Sequence, residues 1–141
     1  MALERLITAL SRARTLETAL HEADNAADFS LVDGMRVPLL AALIEKRAAA
    51  TDGRGGPQTL LAVTATSREA EGVRDAFRSY LPGATVLALP AWETLPHERL
   101  SPSAETVGAR LKALRTLDAW QKQSPNERQG HLVVVASVRA A

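Results

Sequence analysis

Residues 91–102 hold a dense group of reactive side chains. Glu93, His97 and Glu98 are residue types that general acid–base chemistry uses, and Arg99 follows them directly. Such chemistry requires the partners to lie within hydrogen-bond reach of a reacting atom, and this spacing does not by itself bring them together. Salt bridges to nearby arginines, or capping of the following helix, are the favoured interpretation. We therefore predict no catalytic residue here.

Three prolines shape the same segment. Pro90, Pro96 and Pro102 fix their own φ and bias each preceding residue toward extended geometry, so a stiff, non-helical ribbon is expected. Trp92 within it could stack on a nucleobase, a contact worth about 1–3 kcal/mol. Aromatic residues at strand ends more often anchor the core, because they bury a large apolar area. Packing in the interior is therefore the interpretation that we favour for Trp92.

A short apolar run, Phe29–Val32, precedes the position where a phosphate-binding loop could lie. Such loops follow a strand and read Gly-x-x-x-x-Gly-Lys-Ser/Thr, so that backbone N–H groups, the lysine and the hydroxyl hold phosphates and magnesium. Here only Gly34 fits, and Pro38 removes one donor outright. We predict a degenerate loop without nucleotide binding. Its residues are Asp33, Gly34, Met35, Arg36, Val37 and Pro38.

Cations are in excess between residues 99 and 128, where six of them accompany three acidic residues. Clustered cations beside a helix amino terminus can contact DNA phosphates, and solvated helix faces have the same composition. Both interpretations stay open. The candidate DNA contacts are Arg99, Arg110, Lys112 and Arg115.

The composition bounds the class of protein. The 141 residues carry 17 basic and 16 acidic side chains, a net charge of +1, which gives no overall field that would attract nucleic acid or anionic lipid. The chain has no cysteine and only three scattered histidines, so neither a disulfide nor a metal site is expected. An apolar fraction of 46% without a membrane-length run predicts a soluble fold. Residues 1–10 lack the continuous apolar run of a secretory signal, so a cytoplasmic protein is expected.

Hydrophobic spacing divides the chain into a helical arm, residues 1–28, and an α/β domain, residues 29–141. In the arm, one or two amphipathic helices over residues 2–23 carry an apolar stripe. The stripe is Leu3, Leu6, Leu10, Ala13, Leu16 and Leu20. In the domain, strands alternate with helices, which predicts a small, mainly parallel sheet of about four strands flanked by helices. The predicted strands are Phe29–Val32, Thr59–Thr64, Ala84–Leu89 and His131–Ala136.

Local signals place the helices between these strands. Thr66 and Glu69 have capping-box spacing, and a helix is expected to begin there. Ser101 is expected to cap the next helix, with Pro102 at its first position. The buried stripe predicted for that helix is Val107, Leu111, Leu114 and Leu117. The apolar content of Thr59–Thr64 suits a strand that is buried on both faces.

The ribbon Ala-Trp-Glu-Thr-Leu-Pro-His-Glu-Arg-Leu-Ser-Pro, continued by Thr106–Leu114, closely resembles the amino-terminal, UvrB-like module of the bacterial transcription-repair coupling factors (Mfd). The resemblance extends more weakly over most of residues 29–141. The motif residues are Trp92, Glu93, Thr94, Leu95, Pro96, Ser101 and Pro102. The resemblance implies the first segment of a UvrB-like domain 1a with a degenerate phosphate loop, which ends about where an inserted domain follows.

The same resemblance implies a function. The full-length protein is expected to bind duplex DNA beside a stalled RNA polymerase, to displace the polymerase through ATP-dependent translocation, and to recruit UvrA for nucleotide excision repair. ATP and magnesium are then expected in motor domains outside this segment. The segment itself is expected to be non-catalytic and to contact other domains of the same protein.

Two alternatives stay open at this point. One is a truncated UvrB-like or other helicase with a working nucleotide site. The other is an α/β interaction module unrelated to DNA. Motor motifs beyond residue 141 would separate these alternatives.

Overall fold

The computed structural model describes residues 3–10, 14–23, 28–50, 55–94 and 101–140. Helices and strands alternate along most of the chain, which confirms the predicted α/β class. The helices are α1 Glu4–Leu10, α2 Arg14–Ala23, α3 Asp33–Ala48, α4 Ser67–Tyr80 and α5 Ala104–Lys122. The strands are β1 Thr59–Thr64, β2 Thr85–Leu89 and β3 Leu132–Ser137. These three strands were predicted to within one residue at each end.

The sheet contains three parallel strands in the order β1-β3-β2. Its central strand is the last in sequence, and the register aligns Leu132 with Thr59 on one side and with Thr85 on the other. The Leu-Val-Val-Val-Ala run of β3 suits this central place, because every one of its side chains can be buried. The parallel pairing follows from the helical crossovers that join the strands.

The expected fourth strand, Phe29–Val32, is not a strand. These residues are in irregular structure, and Val32 is the N-cap of α3. Leu31 and Val32 are 37% and 73% exposed, so little apolar burial offsets the cost of ordering this segment. The described residues therefore form a three-stranded sheet, and α3 begins where a degenerate loop was expected.

The expected burial of β1 on both faces is wrong. β1 is an edge strand of the described sheet, and its burial alternates. Ala62 is 8% exposed on the face that α4 covers, whereas Leu61 and Val63 on the opposite face are 60% and 49% exposed. Apolar content alone does not distinguish a central strand from an edge strand, because the crossovers decide the strand order.

The main core lies between α4 and one face of the sheet. Phe77 of α4 and Val133 and Val135 of β3 are fully buried there. α3 packs against α4, and its buried residues belong to the same core cluster as Phe77, Val133 and Val135. Both helices thus contribute to the core on this face of the sheet.

The helical arm packs against α3. Ile7 joins the main core at 3% exposure, whereas Leu3 and Leu6 of the predicted stripe are 41% and 43% exposed. The stripe prediction is therefore wrong for these two leucines. A helix of seven residues makes only two turns, so several rotations about its axis match the leucine spacing almost equally well.

α5 covers the opposite face of the sheet. Trp120 Nε1 donates to Thr59 Oγ1 at 3.1 Å, and Ala113 and Trp120 are 6% and 7% exposed. The predicted stripe is therefore rotated, since Leu111 and Leu114 are each 51% exposed. Trp120 decides the rotation because its indole ring buries more apolar area than a leucine side chain does and its N–H finds an acceptor.

One helix start followed its sequence signal and one did not. The capping box of α4 is confirmed: the Thr66 hydroxyl accepts from Glu69 N–H and the Glu69 carboxylate accepts from Thr66 N–H, both at 3.2 Å. At α5 the predicted cap is wrong, because the N-cap is Ser103 instead of Ser101 and Pro102 precedes the helix.

Candidate functional site

The candidate site lies where β2 ends and the chain leads toward α5, at the carboxyl edge of the parallel sheet. Ligands usually bind at this edge in open α/β sheets. The chain leaves β2 without regular structure and brings Trp92 and Glu93 next to α5. The predictions for Leu95, Pro96 and Arg99 fall outside the described residues.

Glu93 caps α5 across ten residues of sequence. Its carboxylate accepts from the Ser103 backbone N–H at 2.9 Å, from the Ser103 hydroxyl at 2.9 Å and from the Thr106 hydroxyl at 2.7 Å. The Ser103 hydroxyl in turn accepts from Thr106 N–H at 3.2 Å, as an N-cap does. The expected capping role of Glu93 is confirmed, and Glu93 shares it with Ser103.

These contacts hold the pKa of Glu93 below its ordinary value. The largest cause is the backbone N–H of Ser103, followed by the hydroxyls of Thr106 and Ser103. A carboxylate at a helix amino terminus also meets the positive end of the helix dipole. Glu93 is thus a stabilised anion with occupied oxygens, which suits the positioning of a helix and not proton transfer at neutral pH.

Arg110 joins three segments at the same place. Its Nη1 donates to the Pro90 carbonyl at 2.5 Å, and both Nη1 and Nη2 donate to the Ala140 carbonyl at 3.4 Å. Its guanidinium also lies over the Trp92 ring, 4.6 Å from the ring centroid. One side chain therefore ties α5 to the end of β2 and to the turn that follows β3.

Trp92 is not the buried anchor that its size suggested. It is 42% exposed, and its ring lies against the guanidinium of Arg110. The negative face of an indole ring attracts a cation, which gives the side chain a fixed position without full burial. The interior packing predicted for Trp92 is therefore wrong.

A cleft of about 390 Å³ opens beside these residues, between α4, the end of β2 and the start of α5. Arg74, Glu105 and Thr106 line it, together with Ser137 at the end of β3. Ser137 is 2% exposed, and its hydroxyl lies within hydrogen-bond distance of the Ser67 hydroxyl at 3.5 Å. Among the described residues, no buried side-chain nitrogen or oxygen lacks a hydrogen-bond partner. The buried polar groups of the cleft are thus engaged with the protein itself.

The predicted degenerate phosphate loop is the first part of α3. Asp33 begins the helix, and Arg36 pairs with it at 2.9 Å in an exposed salt bridge. Val37 and Pro38 are buried on the core side of the helix. A regular helix does not wrap its N–H groups around a triphosphate as a glycine-rich loop does, so these residues do not fit that ligand. The absence of nucleotide binding stays a prediction.

The three candidate DNA contacts that the structure describes, Arg110, Lys112 and Arg115, do not form one cluster. Arg110 is turned toward two carbonyls and Trp92. Lys112 and Arg115 are exposed on α5, three residues apart and hence neighbours on the helix surface. A DNA contact by this pair stays a prediction.

Sequence reasoning missed Ser103, Thr106 and the Ala140 carbonyl as parts of the site. A signal for the first two was present, since Ser-x-x-Thr has the spacing of an N-cap and the third helical residue. No local signal marks Ala140, because tertiary packing decides which backbone carbonyl an arginine reaches.

The described residues also bear on metal and membrane binding. Within them, no three His, Asp or Glu side chains gather closely enough to hold a metal ion. None of their helices combines the length and apolarity that a bilayer crossing requires.

No family model matches this chain. The transcription-repair-coupling factors of Mycobacterium bovis and Mycobacterium tuberculosis are each 51% identical to it over 87 residues. The matched residues make up 62% of this chain and 7% of each relative, so the chain spans only a small share of the length of these curated relatives. The resemblance read from the ribbon motif is thereby confirmed.

Proposed function

We propose that this chain, as a part of a transcription-repair coupling factor, is a non-catalytic segment that scaffolds neighbouring domains of the same polypeptide. The 51% identity to two such factors carries the proposal. The site geometry supports it, because the carboxylate of Glu93 and the guanidinium of Arg110 are engaged in joining chain segments. Groups occupied in this way are suited to holding a shape and not to acting on a substrate.

The longer protein, in this proposal, couples transcription to nucleotide excision repair. It binds duplex DNA, displaces a stalled RNA polymerase by ATP-dependent translocation, recruits UvrA and works in the cytoplasm. Its ATP and magnesium are held by motor domains outside residues 1–141, because Asp33–Pro38 is helical and does not fit them. The ATP hydrolase and helicase activities belong to those domains.

A truncated helicase with a working nucleotide site is the strongest alternative of another class. That alternative requires a phosphate loop, and Pro38 within α3 lacks the N–H that such a loop uses. An unrelated α/β interaction module is the weaker alternative, since it leaves the identity to two coupling factors unexplained.

Polymerase displacement and ATP hydrolysis test the proposal. The full-length protein is expected to release a stalled RNA polymerase from DNA only with ATP, and residues 1–141 alone are expected to show no ATP turnover. Gly34→Ala is the matched variant, because an added Cβ there meets no atom within 4 Å. Turnover by residues 1–141 that Gly34→Ala abolishes would contradict the non-catalytic role. Failure of the full-length protein to displace the polymerase would contradict the coupling role.

A further inference from the structure

One side of β2 faces no other strand of the described sheet. The order β1-β3-β2 places β2 at an edge, where it pairs with β3 alone. Thr85 N–H donates to the His131 carbonyl at 2.7 Å, so the backbone groups of Thr85 point to β3. Backbone groups alternate between the two sides of a strand, and those of Val86 and Ala88 therefore point to the free edge.

The sequence of β2 does not protect this edge from pairing. Thr85–Leu89 contains neither a charge nor a proline, and its register with β3 is continuous, without a bulge. Pro90 ends the edge, because it has no N–H and its carbonyl accepts from Arg110. The edge is thus a short template that extends from Val86 to Ala88.

A cavity lies at each end of this template. At the carboxyl end, the cleft of about 390 Å³ reaches Ala88 and is bordered there by Arg74 of α4. At the amino end, a second cavity of about 350 Å³ lies between Thr85 and the residues Thr116 and Trp120 of α5. Both cavities therefore adjoin the path of a strand that pairs with β2.

The two cavities lie on opposite faces of the sheet. The side chain of Val86 belongs to the core that α4 covers, and Ala88 points to the same face because side chains alternate along a strand. Thr85 points to the α5 face. An added strand alternates in the same way, so its residue opposite Thr85 is directed to the cavity beside α5 and its residue opposite Ala88 to the cleft beside α4. These two residues are three positions apart in either strand direction.

The cleft beside α4 is negatively charged. The carboxylates of Glu71, Glu93 and Glu105 line it, and Arg74 is the cation among its lining residues. The Arg74 guanidinium already pairs with Asp75 at 2.9 Å. A basic side chain is therefore the one that complements this cleft.

The cavity beside α5 has the same sign of charge. Among its lining residues, Glu127 is the ionisable one. The Ser124 N–H and hydroxyl donate to its carboxylate at 2.9 and 2.8 Å and lower the pKa of Glu127, which keeps it ionised at neutral pH. A second basic side chain complements this cavity.

We propose that the free edge of β2 binds an extended segment of a partner protein, in which two basic side chains stand three residues apart. The backbone of the segment pairs with Val86 and Ala88, and its two cations lie in the two cavities. In this mode of recognition, main-chain hydrogen bonds supply affinity and the cavities for side chains supply specificity. The inference goes beyond the proposed function, because the partner is not part of this polypeptide.

A synthetic peptide tests the required charges. The probe has eight residues of alternating valine and threonine, with arginine in place of the third and the sixth. It is expected to bind the full-length protein saturably, and at least about tenfold more tightly than the matched peptide with glutamate at both positions. Fluorescence anisotropy of the labelled peptides measures both affinities. No saturable binding, or equal affinities, would overturn the proposal.

N-methylation of the probe tests the strand pairing without altering the protein. Methyl groups are placed on the backbone nitrogens of the two residues between the arginines. One of these two N–H groups faces β2 in either strand direction, because such groups alternate along the peptide. The methylated probe is expected to bind about tenfold more weakly. Unchanged affinity would rule out pairing with β2.

Variants of Ala88 locate the binding site on the protein. Ala88→Pro removes the N–H that faces the free edge, a position at which strands tolerate proline. Ala88→Ser keeps that N–H and is the matched control. The arginine probe is expected to bind Ala88→Pro about tenfold more weakly than Ala88→Ser, and equal binding would overturn the proposal. If urea denaturation shows that Ala88→Pro does not fold, the methylated probe on the unaltered protein decides.

Polymerase displacement by the unaltered full-length protein separates this inference from the proposed function. If displacement persists while the arginine probe does not bind, only the inference about β2 fails. If the probe binds as expected and displacement fails, only the coupling role is contradicted.

Discussion

At Glu93, three donors converge on one exposed carboxylate, and one of them is the N–H of the residue that caps α5. The anion therefore acts on a helix from ten residues upstream of the N-cap. Water competes for such exposed contacts, which limits what they add to stability. Their larger effect is geometric, because they fix where the chain after β2 meets α5.

Protonation of Glu93 is expected to destabilise the fold. The pKa of Glu93 is lowered in the folded chain. The stabilisation of the fold by ionised Glu93 is therefore complete above the ordinary glutamate pKa of about 4.3, and it is lost as the pH falls through the lowered value. Glu93→Gln is therefore expected to flatten the decline of the unfolding free energy below about pH 4.3. Urea denaturation at a series of pH values measures this decline.

Glu71→Gln is the matched control for that experiment, because Glu71 is an exposed carboxylate on α4. Asp75 and Glu127 also have lowered pKa values and stay intact in both variants. In Glu71→Gln, the unfolding free energy is expected to decline at acid pH as it does in the unaltered chain. If Glu93→Gln retains the same decline as the unaltered chain, Glu93 does not stabilise α5 as an anion.

Ser103 and Ser101 allow the observed cap to be compared with the predicted one. Ser103→Ala removes the hydroxyl that accepts from Thr106 N–H and is expected to lower the unfolding free energy by about 1 kcal/mol. Ser101→Ala is expected to change it by less than about 0.5 kcal/mol, since Ser101 is exposed and precedes the helix. Thermal unfolding of both variants measures the difference. Equal losses would show that α5 is not capped by Ser103.

Among the elements, the three observed strands were predictable one at a time, whereas the expected strand Phe29–Val32 is absent from the described sheet and the strand order was not predictable. Thr59–Thr64 and Leu132–Ser137 are both apolar runs between turn signals, which leaves few alternatives to a strand. Their sequences do not say which of them is central. The crossovers decide this, and as a result Leu61 and Val63 are exposed while Val133 and Val135 are buried.

α5 and the candidate site show a related limit of prediction from sequence. Two stripes with helical spacing run along α5, and periodicity cannot rank the one with Leu111 and Leu114 below the one with Ala113 and Trp120. The ranking needs the Thr59 hydroxyl on the facing strand. In the same way, the residue type of Glu93 predicted a cap, whereas the carbonyl partners of Arg110 depend on the assembled fold.

Arg110→Ala tests the link between α5, the end of β2 and the turn after β3. The variant loses the guanidinium hydrogen bonds to the Pro90 and Ala140 carbonyls, and a loss of about 1–3 kcal/mol of unfolding free energy is expected. Trp92 also loses its cation contact, which should shift the tryptophan emission. Arg115→Ala, at an exposed position, is the control and is expected to change stability by less than about 0.5 kcal/mol. Similar stabilities of the two variants would contradict the link.

Leu132 and Leu61 test the difference between the central and the edge strand. Both point to the α5 side of the sheet, and they are 0% and 60% exposed. In the 141-residue chain, Leu132→Ala is expected to cost about 2–5 kcal/mol, because it leaves a cavity in the interior. Leu61→Ala is expected to cost less than about 0.5 kcal/mol. Urea denaturation measures the loss of unfolding free energy in each variant. Comparable losses at the two positions would contradict the strand order.

For the whole molecule, the net charge is near zero, so any DNA contact depends on locally clustered cations. If Lys112 and Arg115 each bind one phosphate, replacing both by alanine is expected to lower the slope of log binding constant against log salt by about 1.8, at about 0.9 per contact. Fluorescence anisotropy of the full-length protein on duplex DNA at several salt concentrations measures the slope. Lys122→Ala is the control, because Lys122 already pairs with Asp118 at 2.7 Å. An unchanged slope in the double variant would remove the predicted contact.

The position of β3, last in sequence and central in the sheet, also governs how the molecule is assembled during synthesis. β1 is complete at residue 64, yet the strand that binds it begins at residue 132. At about 5–20 residues per second, a ribosome takes roughly 3–14 s to cover that interval. Throughout this time β1, joined by β2 once residue 89 has been added, cannot pair as it does in the native sheet. Chaperone binding to the emerging polypeptide is therefore expected to last until Ser137 has left the exit tunnel, and then to cease abruptly.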